Sequence, residues 1–344
     1  MHDSYARGKT LLNLFISDDF LFRVETTMDA SNPTDRLILG HMPLVGISYQ
    51  CREKDEEYRE KFSDARSMKR VIDAAIRLGV GRFAAASPGS SPLASLHLQV
   101  LRSIVDEGHE IEIIPCVGIP VRLGDQRIDA FRRWATYLAL ESKFYPEVKQ
   151  RMLDDPILNF RGGWKHNLPR SKPYDDEDFQ SLSIDWKQIE DSLERFLELP
   201  VSYMEPGSET DFLTMAGRFD LIGELVDRIR ERGYKGVLLG VHHAGVTIPR
   251  LDERLEGLDG YVTPLNSIGV MMFPTQASAE EAIKGTSRAV YAIKPLAGGR
   301  VKPKRAFIYA FSFEVEGCMV GAASVAEVHE DFNVAVEILE ARAR

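Results

Sequence analysis

Titratable, hydroxyl-bearing and amide-bearing residues follow most of the short apolar segments of this chain. They are His41, Ser87, Cys116, Glu205, His242, His243, Asn266, Lys294 and Ser324. If the segments are parallel strands of one closed barrel, their carboxyl ends meet at a single mouth, where the catalytic groups of such barrels collect. The spacing therefore predicts one polar site assembled from distant parts of the sequence.

Two of these residues bring charge into apolar surroundings. Glu205 follows Val201–Met204, and a carboxyl at an apolar mouth has a raised pKa that suits general acid or base chemistry. Lys294 follows Val290–Ile293, and burial of its ammonium is costly unless an anion or a carboxylate pairs with it. Anion binding, a structural ion pair and Schiff-base formation are the alternatives for this lysine.

His242 and His243 stand side by side at the end of one predicted strand. Because adjacent strand residues point to opposite faces, we expect only one of them to face the mouth. A neutral imidazole there could act as a general base or a metal ligand, or simply hydrogen-bond to a loop. A divalent metal would need partners such as Glu205 and His41, and no HExxH spacing indicates one.

Two glycine-containing turns near the C-terminus could hold an anion. One turn follows Lys294, and the other opens directly into the last predicted helix, which begins near Val325. Such turns expose backbone N–H groups, and a helix N-terminus adds partial positive charge. The residues predicted to bind the ligand are Gly298, Gly299, Gly321, His41, Ser87, Asn266 and Ser324. Cys116 is more typical of a small core residue than of a nucleophile.

Segments of strand length alternate with segments of helical periodicity from residue 37 onward. The predicted strands begin at Leu37, Arg82, Glu110, Val201, Gly236, Gly260, Val290 and Cys318. Eight such strands predict an α/β fold, a closed (β/α)8 or TIM barrel, with a doubly wound open sheet as the rival. No GxGxxG follows the first strand, so a dinucleotide-binding open sheet would lack its fingerprint.

Two segments of this single predicted domain do not follow the alternation of strands and helices. Residues 1–36 are mixed in character, and we expect them to cap the barrel. Residues 141–182, after the third strand, are polar, aromatic and rich in turn residues, and they include the acidic run Asp175–Asp178. Segments of this kind are typically lids or binding insertions. We expect this one to lie at the rim of the mouth without forming a packed domain of its own. Within it, Arg161–His166 could close over a ligand, or be an exposed loop or an oligomer contact.

The overall composition restricts the classes of partner. The 344 residues carry a net charge of −9 with no basic run, so nucleic acid is not an expected partner. No apolar run is long enough to span a bilayer, and the N-terminus does not resemble a secretion signal. The three cysteines are widely spaced and form no CxxC pair. We expect a cytoplasmic protein with a small-molecule anionic ligand, and homo-oligomer formation is left open.

Four segments resemble the aldo-keto reductase superfamily. Leu39–Pro43 is similar to its first-strand LGTMxFG, and Val71–Gly79 is similar to its first barrel helix. Lys294–Gly298 is similar to its seventh-strand SPLxxG, and Gly321–Asp331 to the GASSxxQLxEN segment at the cofactor end. The resemblance runs from Leu37 to the C-terminus. It implies a TIM barrel with an anion site near the last two strands.

The catalytic residues of that family do not carry over. The positions of its Asp, Tyr and Lys are taken here by Ala84, Gly89 and Cys116, and its His falls near Glu205. Without the tyrosine acid and the Lys–Asp pair that tunes it, reductase chemistry by the family's route is not expected. Glu327 and Asp331 replace the family's Gln and Asn near the adenine, so acid stands where an NADP 2′-phosphate would lie.

Three functions follow as hypotheses. The first is an enzyme that acts on a small anionic molecule, for example a phosphorylated one, by acid/base chemistry. In it, Glu205 and one histidine of the pair move protons, and Lys294 with the glycine turns binds the anion. The second is an NAD(P)-dependent oxidoreductase with a rearranged site. The third is a binding or scaffold barrel that kept the fold without catalysis.

Overall fold

Eight parallel strands form the centre of the protein. The computed structural model describes residues 32–87, 89–160 and 162–343, so most of the predicted N-terminal cap lies outside the described residues. We number the barrel strands in chain order: β1 (Leu37–Gly40), β2 (Arg82–Ala86), β3 (Glu112–Val117), β4 (Tyr203–Pro206), β5 (Gly236–Gly240), β6 (Gly260–Pro264), β7 (Ala289–Ile293) and β8 (Gly317–Gly321).

The strands close into a barrel in sequence order. Each strand pairs in parallel with the next, and β8 pairs with β1 through Leu37 opposite Cys318. The (β/α)8 prediction is therefore confirmed, and the open sheet is wrong. As expected from the alternation of strands and helices in the sequence, β6 is the only strand between β5 and β7 in this part of the barrel.

The barrel interior is filled by single side chains from successive strands. The set comprises Ile38, Ala84, Ile114, Leu238, Val262, Tyr291 and Met319, with Tyr203 of β4 packed against it. Alternate residues face outward under the helices, so both faces of each strand are buried. Double burial explains why the strands appear in the sequence as short continuous apolar runs without alternation.

Helices surround this barrel and fill the connections. They are α1 (Arg52–Lys61), α2 (Ala65–Arg77), α3 (Pro92–Asp106), α4 (Ala130–Glu141), α5 (Val148–Asp154), α6 (Pro156–Asn159), α7 (Trp164–Asn167), α8 (Asp176–Gln180), α9 (Trp186–Glu194), α10 (Glu209–Met215), α11 (Phe219–Glu231), α12 (Ala244–Arg254), α13 (Gln276–Gly285), α14 (Pro303–Ala310) and α15 (Val325–Ala343). Short 3-10 turns occur at Pro33–Arg36, Pro43–Val45 and Leu168–Arg170. None of the described helices is long and apolar enough to cross a membrane.

The insertion between β3 and β4 is more ordered than the sequence suggested. It contains α4 to α9 and a small antiparallel sheet of Val121–Leu123, Gln126–Arg127 and Leu182–Ile184. Its apolar residues, including Met152, Leu158 and Trp164, are buried in the main core. The insertion therefore packs onto the barrel core.

Helix caps explain the misleading composition of the insertion. The Asp155 carboxylate accepts the N–H groups of Ile157 and Leu158 at the start of α6. Asp175 and Asp178 form a capping box at the start of α8. Asp and Pro residues that resemble a loop in the sequence are here the caps of very short helices.

Candidate functional site

A cavity of about 640 Å³ opens at the carboxyl ends of the strands. Its volume lies in the range of small-molecule binding sites. Seven of the residues predicted from the sequence line it: Glu205, His242, Lys294, His41, Gly298, Gly299 and Gly321. Parallel strands in a closed barrel bring these distant residues to one volume.

Glu205 lies on the wall of the cavity, near the end of β4 and opposite Cys116 of β3. Its side chain is buried, and burial raises the pKa of its carboxyl to about 7. A hydrogen bond from the Cys116 thiol and the charge of Lys294 offset part of that rise in pKa. The carboxyl can therefore both give and take a proton near neutral pH.

Gly240 leaves the space that the Glu205 carboxyl occupies. A Cβ atom at Gly240 would lie 2.7 Å from Oε1 of Glu205 and 2.9 Å from the carbonyl oxygen of Pro206. Real Cβ atoms do not approach oxygen so closely, so β5 needs glycine at this position. The glycine thus fixes the place of the carboxyl within the cavity.

Lys294 enters the cavity from the end of β7. Its Nζ lies 3.1 Å from Nε2 of His242 and 5.2 Å from the centre of the Tyr49 ring. Since an ammonium can only donate, Nε2 of His242 accepts, and the imidazole is neutral. The backbone of Lys294 has φ +54°, an uncommon conformation for a residue with a Cβ, and such strain is concentrated at functional sites.

His41, just beyond β1, is a second imidazole on the cavity wall. Burial and the charge of Lys294 lower the pKa of His41 to about 4, so this ring is neutral at physiological pH. Its Nδ1 is buried and has no hydrogen-bond partner among the described residues. A buried polar atom without a partner at a cavity wall indicates a place for a ligand or an ordered water.

The turn after β7 is built from three consecutive left-handed residues. Ala297, Gly298 and Gly299 have φ values of +49°, +66° and +79°. Arg300 holds the turn by donating to the carbonyl oxygens of Tyr49 and Ala297. Within the turn the N–H of Ala297 donates to the carbonyl oxygen of Lys294, and Gly298 and Gly299 line the cavity beside Lys294.

The second glycine turn, at the start of α15, differs from the prediction. The Glu327 carboxylate accepts the N–H of Ala323 at 2.7 Å, and the Ser324 hydroxyl accepts the N–H of Glu327 at 3.1 Å. The helix start is therefore capped by the protein's own carboxylate, and Ser324 does not line the cavity. An anion at Gly321 would meet negative charge, so the predicted anion contact is not favoured there.

His243 is placed behind the cavity wall and does not reach the site. Its side chain is fully buried, with Nδ1 2.7 Å from Oε1 of Glu141 and the ring packed against Tyr137 and Phe273. Asp211 accepts the backbone N–H groups of both His242 and His243 and so fixes the turn. The role assigned to His243 in proton transfer is corrected, because the ring has no access to the cavity.

Two further predicted residues also lie away from the cavity. Both ends of the Asn266 amide bond to the backbone of Val270, closing the loop after β6. Ser87 follows β2 and is half-buried without lining the cavity. The motif Arg161–His166 contributes no lining residue among its described positions, and its Trp164 ring belongs to the core.

The insertion contributes cavity residues that the sequence did not identify. Arg133 and Trp134 of α4 line the cavity, and Arg133 forms an ion pair with Glu209 at the start of α10. No motif marks these two residues, because their position depends on how α4 packs across the mouth. Within 141–182, Ile157 lines the cavity, and Arg151 donates to the carbonyl oxygens of Gly269 and Met272 after β6. The insertion thus borders the mouth.

A metal centre has no ready-made ligand set in this site. Across residues 32–87, 89–160 and 162–343, no group of three or more His, Cys, Asp or Glu side chains is arranged to hold an ion.

Comparisons with known proteins agree with the architecture. The sequence matches neither a family profile nor a curated relative. Two structures from Pseudomonas aeruginosa, both provisionally named aldo-keto reductases, superimpose with a TM-score of 0.52. They share 13% and 14% identity and cover 88% of this chain, which spans 91% and 90% of theirs. The protein is therefore an aldo-keto-reductase-like TIM barrel in fold.

The cofactor that this fold implies is a poor match to the residues present. The cavity end at α15 is lined by Glu327, Glu330 and Asp331, which would repel the 2′-phosphate of NADP. Ala84 lines the cavity at the position where the resemblance places the family's aspartate. The fold is thus shared, whereas the residues do not fit the family's cofactor and proton donor.

Proposed function

We propose that the protein is an enzyme that transfers protons on a small anionic molecule bound at the barrel mouth. The observation that carries this proposal is the pairing of Glu205 and Lys294 in one cavity. A carboxyl with a pKa of about 7 can exchange a proton at neutral pH, and the nearby ammonium can hold an anionic group.

Each residue of the site has a separate role in the proposed reaction. Lys294 and the turn at Gly298 hold the phosphate or carboxylate of the ligand. Neutral His242 accepts a hydrogen bond from Lys294 and directs the ammonium into the cavity. Glu205 then takes a proton from the ligand, or returns one, at an atom adjoining the anionic group. Negative charge that develops on the ligand is stabilised by the same ammonium.

Solvent proton exchange tests this activity across a panel of candidate substrates. Phosphorylated and carboxylated small molecules are incubated with the protein in D2O, and deuterium incorporation is followed by NMR. We expect exchange into one class of anion with the wild type and its loss with Glu205→Gln. Binding of that anion should persist in the Glu205→Gln variant, because Lys294 is unchanged.

Two further measurements distinguish the other functions. NADH and NADPH are titrated by fluorescence, and tight binding of either would replace the proposal with an oxidoreductase function. Lys294-dependent anion binding without exchange or turnover would leave a binding barrel. The absence of any Lys294-dependent ligand would contradict the proposal itself.

A further inference from the structure

The two ends of the cavity carry opposite charge. Lys294 lies at the β7 end, and Glu327, Glu330 and Asp331 line the α15 end. Within the described residues, no lysine or arginine forms an ion pair with any of these three acids, and Glu327 accepts only the backbone N–H of Ala323. Negative charge at this end is therefore not balanced by the protein.

Asp331 provides a separate observation. Only 6% of this residue is exposed, yet it lines the cavity, and none of the described residues donates a hydrogen bond to its carboxylate. It lies inside α15, where the backbone N–H groups are used by the helix itself. A buried carboxylate without a donor is costly, so the site lacks a partner that a ligand can supply.

We propose that the ligand also carries a cationic amine, which binds Asp331 while its anionic group binds near Lys294. This inference rests on the proposed function, because it gives the second half of the same ligand. The ligand class is then a zwitterion, such as a phosphorylated or carboxylated amine.

Charge decides between an amine and a hydroxylated group at this end. A sugar diol would donate hydrogen bonds to Asp331 but would leave the surrounding negative charge uncompensated. An ammonium supplies both the donors and the compensating charge. Burial raises the pKa of Asp331 to about 7, and the charges of Glu327 and Glu330 add to that rise, because the acids repel one another.

Opposite charges at the two ends also fix the orientation of the ligand. An ammonium placed at the β7 end would be repelled by Lys294, and a phosphate at the α15 end would be repelled by the acids. Lys302 lines the cavity as well, but its side chain is exposed and forms no ion pair with these carboxylates. The reversed orientation is therefore unfavourable at both ends.

Matched probes separate the two halves of the ligand. Calorimetry compares aminoalkyl phosphates of increasing chain length with alkyl phosphates of the same length. We expect one chain length at which the amine improves affinity about tenfold. Asp331→Asn should remove this preference and leave alkyl phosphate affinity unchanged. Glu337→Gln, on the exposed side of the same helix, is the control and should retain the preference.

The possible results have distinct meanings. If alkyl phosphates and aminoalkyl phosphates bind with equal affinity and both depend on Lys294, the proposal of a zwitterionic ligand is contradicted. The proposed function then remains in place. Tighter binding of sugar phosphates than of aminoalkyl phosphates would show that Asp331 binds a diol, and this result would also contradict the proposed zwitterionic ligand. If no phosphate binds, the proposed function is contradicted. Binding of simple alkylamines then tests separately whether Asp331 binds an amine. If Asp331→Asn does not fold, Glu330→Gln, an exposed position, should still reduce the amine preference.

Discussion

The Nζ atom of Lys294 lies 3.1 Å from the Nε2 atom of His242, which joins the ends of β7 and β5 across β6. The contact holds the ammonium over the mouth and keeps the imidazole neutral. Two residues that are far apart in the sequence thus form one unit, in which the histidine positions the lysine. Glu205 completes the group on β4, the next strand around the barrel.

Replacement of Lys294 should weaken anion binding. We expect Lys294→Met to reduce the affinity for an anionic ligand about tenfold or more while the fold is retained, because a charged hydrogen-bond donor to the ligand is lost. Calorimetry and circular dichroism measure the two effects. Lys304→Met, an exposed lysine on α14, is the control. Unchanged affinity in the Lys294 variant would exclude this lysine from the site.

The pH dependence of turnover should report Glu205. Because its pKa is about 7, a reaction that needs the carboxylate as a base rises with pH and levels off above that value. A reaction that needs the protonated acid falls over the same range. In Glu205→Gln we expect the transition near pH 7 to disappear together with the activity. A wild-type profile that is flat between pH 5 and pH 9, roughly, would contradict a proton-transfer role.

Gly240→Ala tests the position of the carboxyl without altering its chemistry. The new Cβ would overlap Oε1 of Glu205, so we expect the side chain to move and activity to fall strongly while ligand affinity changes less. The measurement is kcat against KM for the two proteins. Gly285→Ala, at the end of α13 with open space around its Cβ, should behave as the wild type. Equal turnover by both variants would mean that the carboxyl position does not matter.

The contribution of Glu205 and Asp331 to stability should fall as the pH rises from about 4 to about 7, whereas that of the buried His41 and His97, whose pKa values are lowered to about 4 and about 3, rises over the acidic part of this range. Glu205 and Asp331 have folded-state pKa values of about 7, above the ordinary values of 4.5 and 3.8. At these two carboxyls the folded protein therefore binds more protons than the unfolded chain in this window, and these protons are lost as the pH rises. Compared with the wild type, Asp331→Asn should gain in Tm as the pH rises through this window and have a higher Tm above pH 7. Glu337→Gln should keep the wild-type slope.

The buried pair of His243 and Glu141 should contribute to stability and not to chemistry. Both side chains are almost fully buried, so Glu141→Ala would leave the imidazole without its partner. We expect a loss of about 3 kcal/mol in the free energy of unfolding, measured with urea. Glu340→Ala, on the exposed face of α15, should cost little. Loss of activity in a stable, folded Glu141 variant would reopen a direct role for His243.

Much of the fold could be predicted because the strands carry local signals. The run Arg82–Ala86 is short and apolar, and the structure has a strand at those bounds, while the predicted strand Gly236–His242 contains the observed strand Gly236–Gly240. The polar residues at their ends included Glu205, His242 and Lys294, since a parallel barrel places every such end at one mouth. The insertion was harder to interpret, because capping residues and loop residues have the same composition.

The sequence by itself determined the barrel and the chemical types at its mouth. Only the tertiary structure decided which of two adjacent histidines faces the cavity, because Asp211 fixes the turn by accepting both of their N–H groups. It also decided that the start of α15 is already capped, since the Glu327 carboxylate accepts the N–H of Ala323. Periodicity in the sequence reports burial along one element, whereas these features depend on contacts between elements that sequence spacing does not encode.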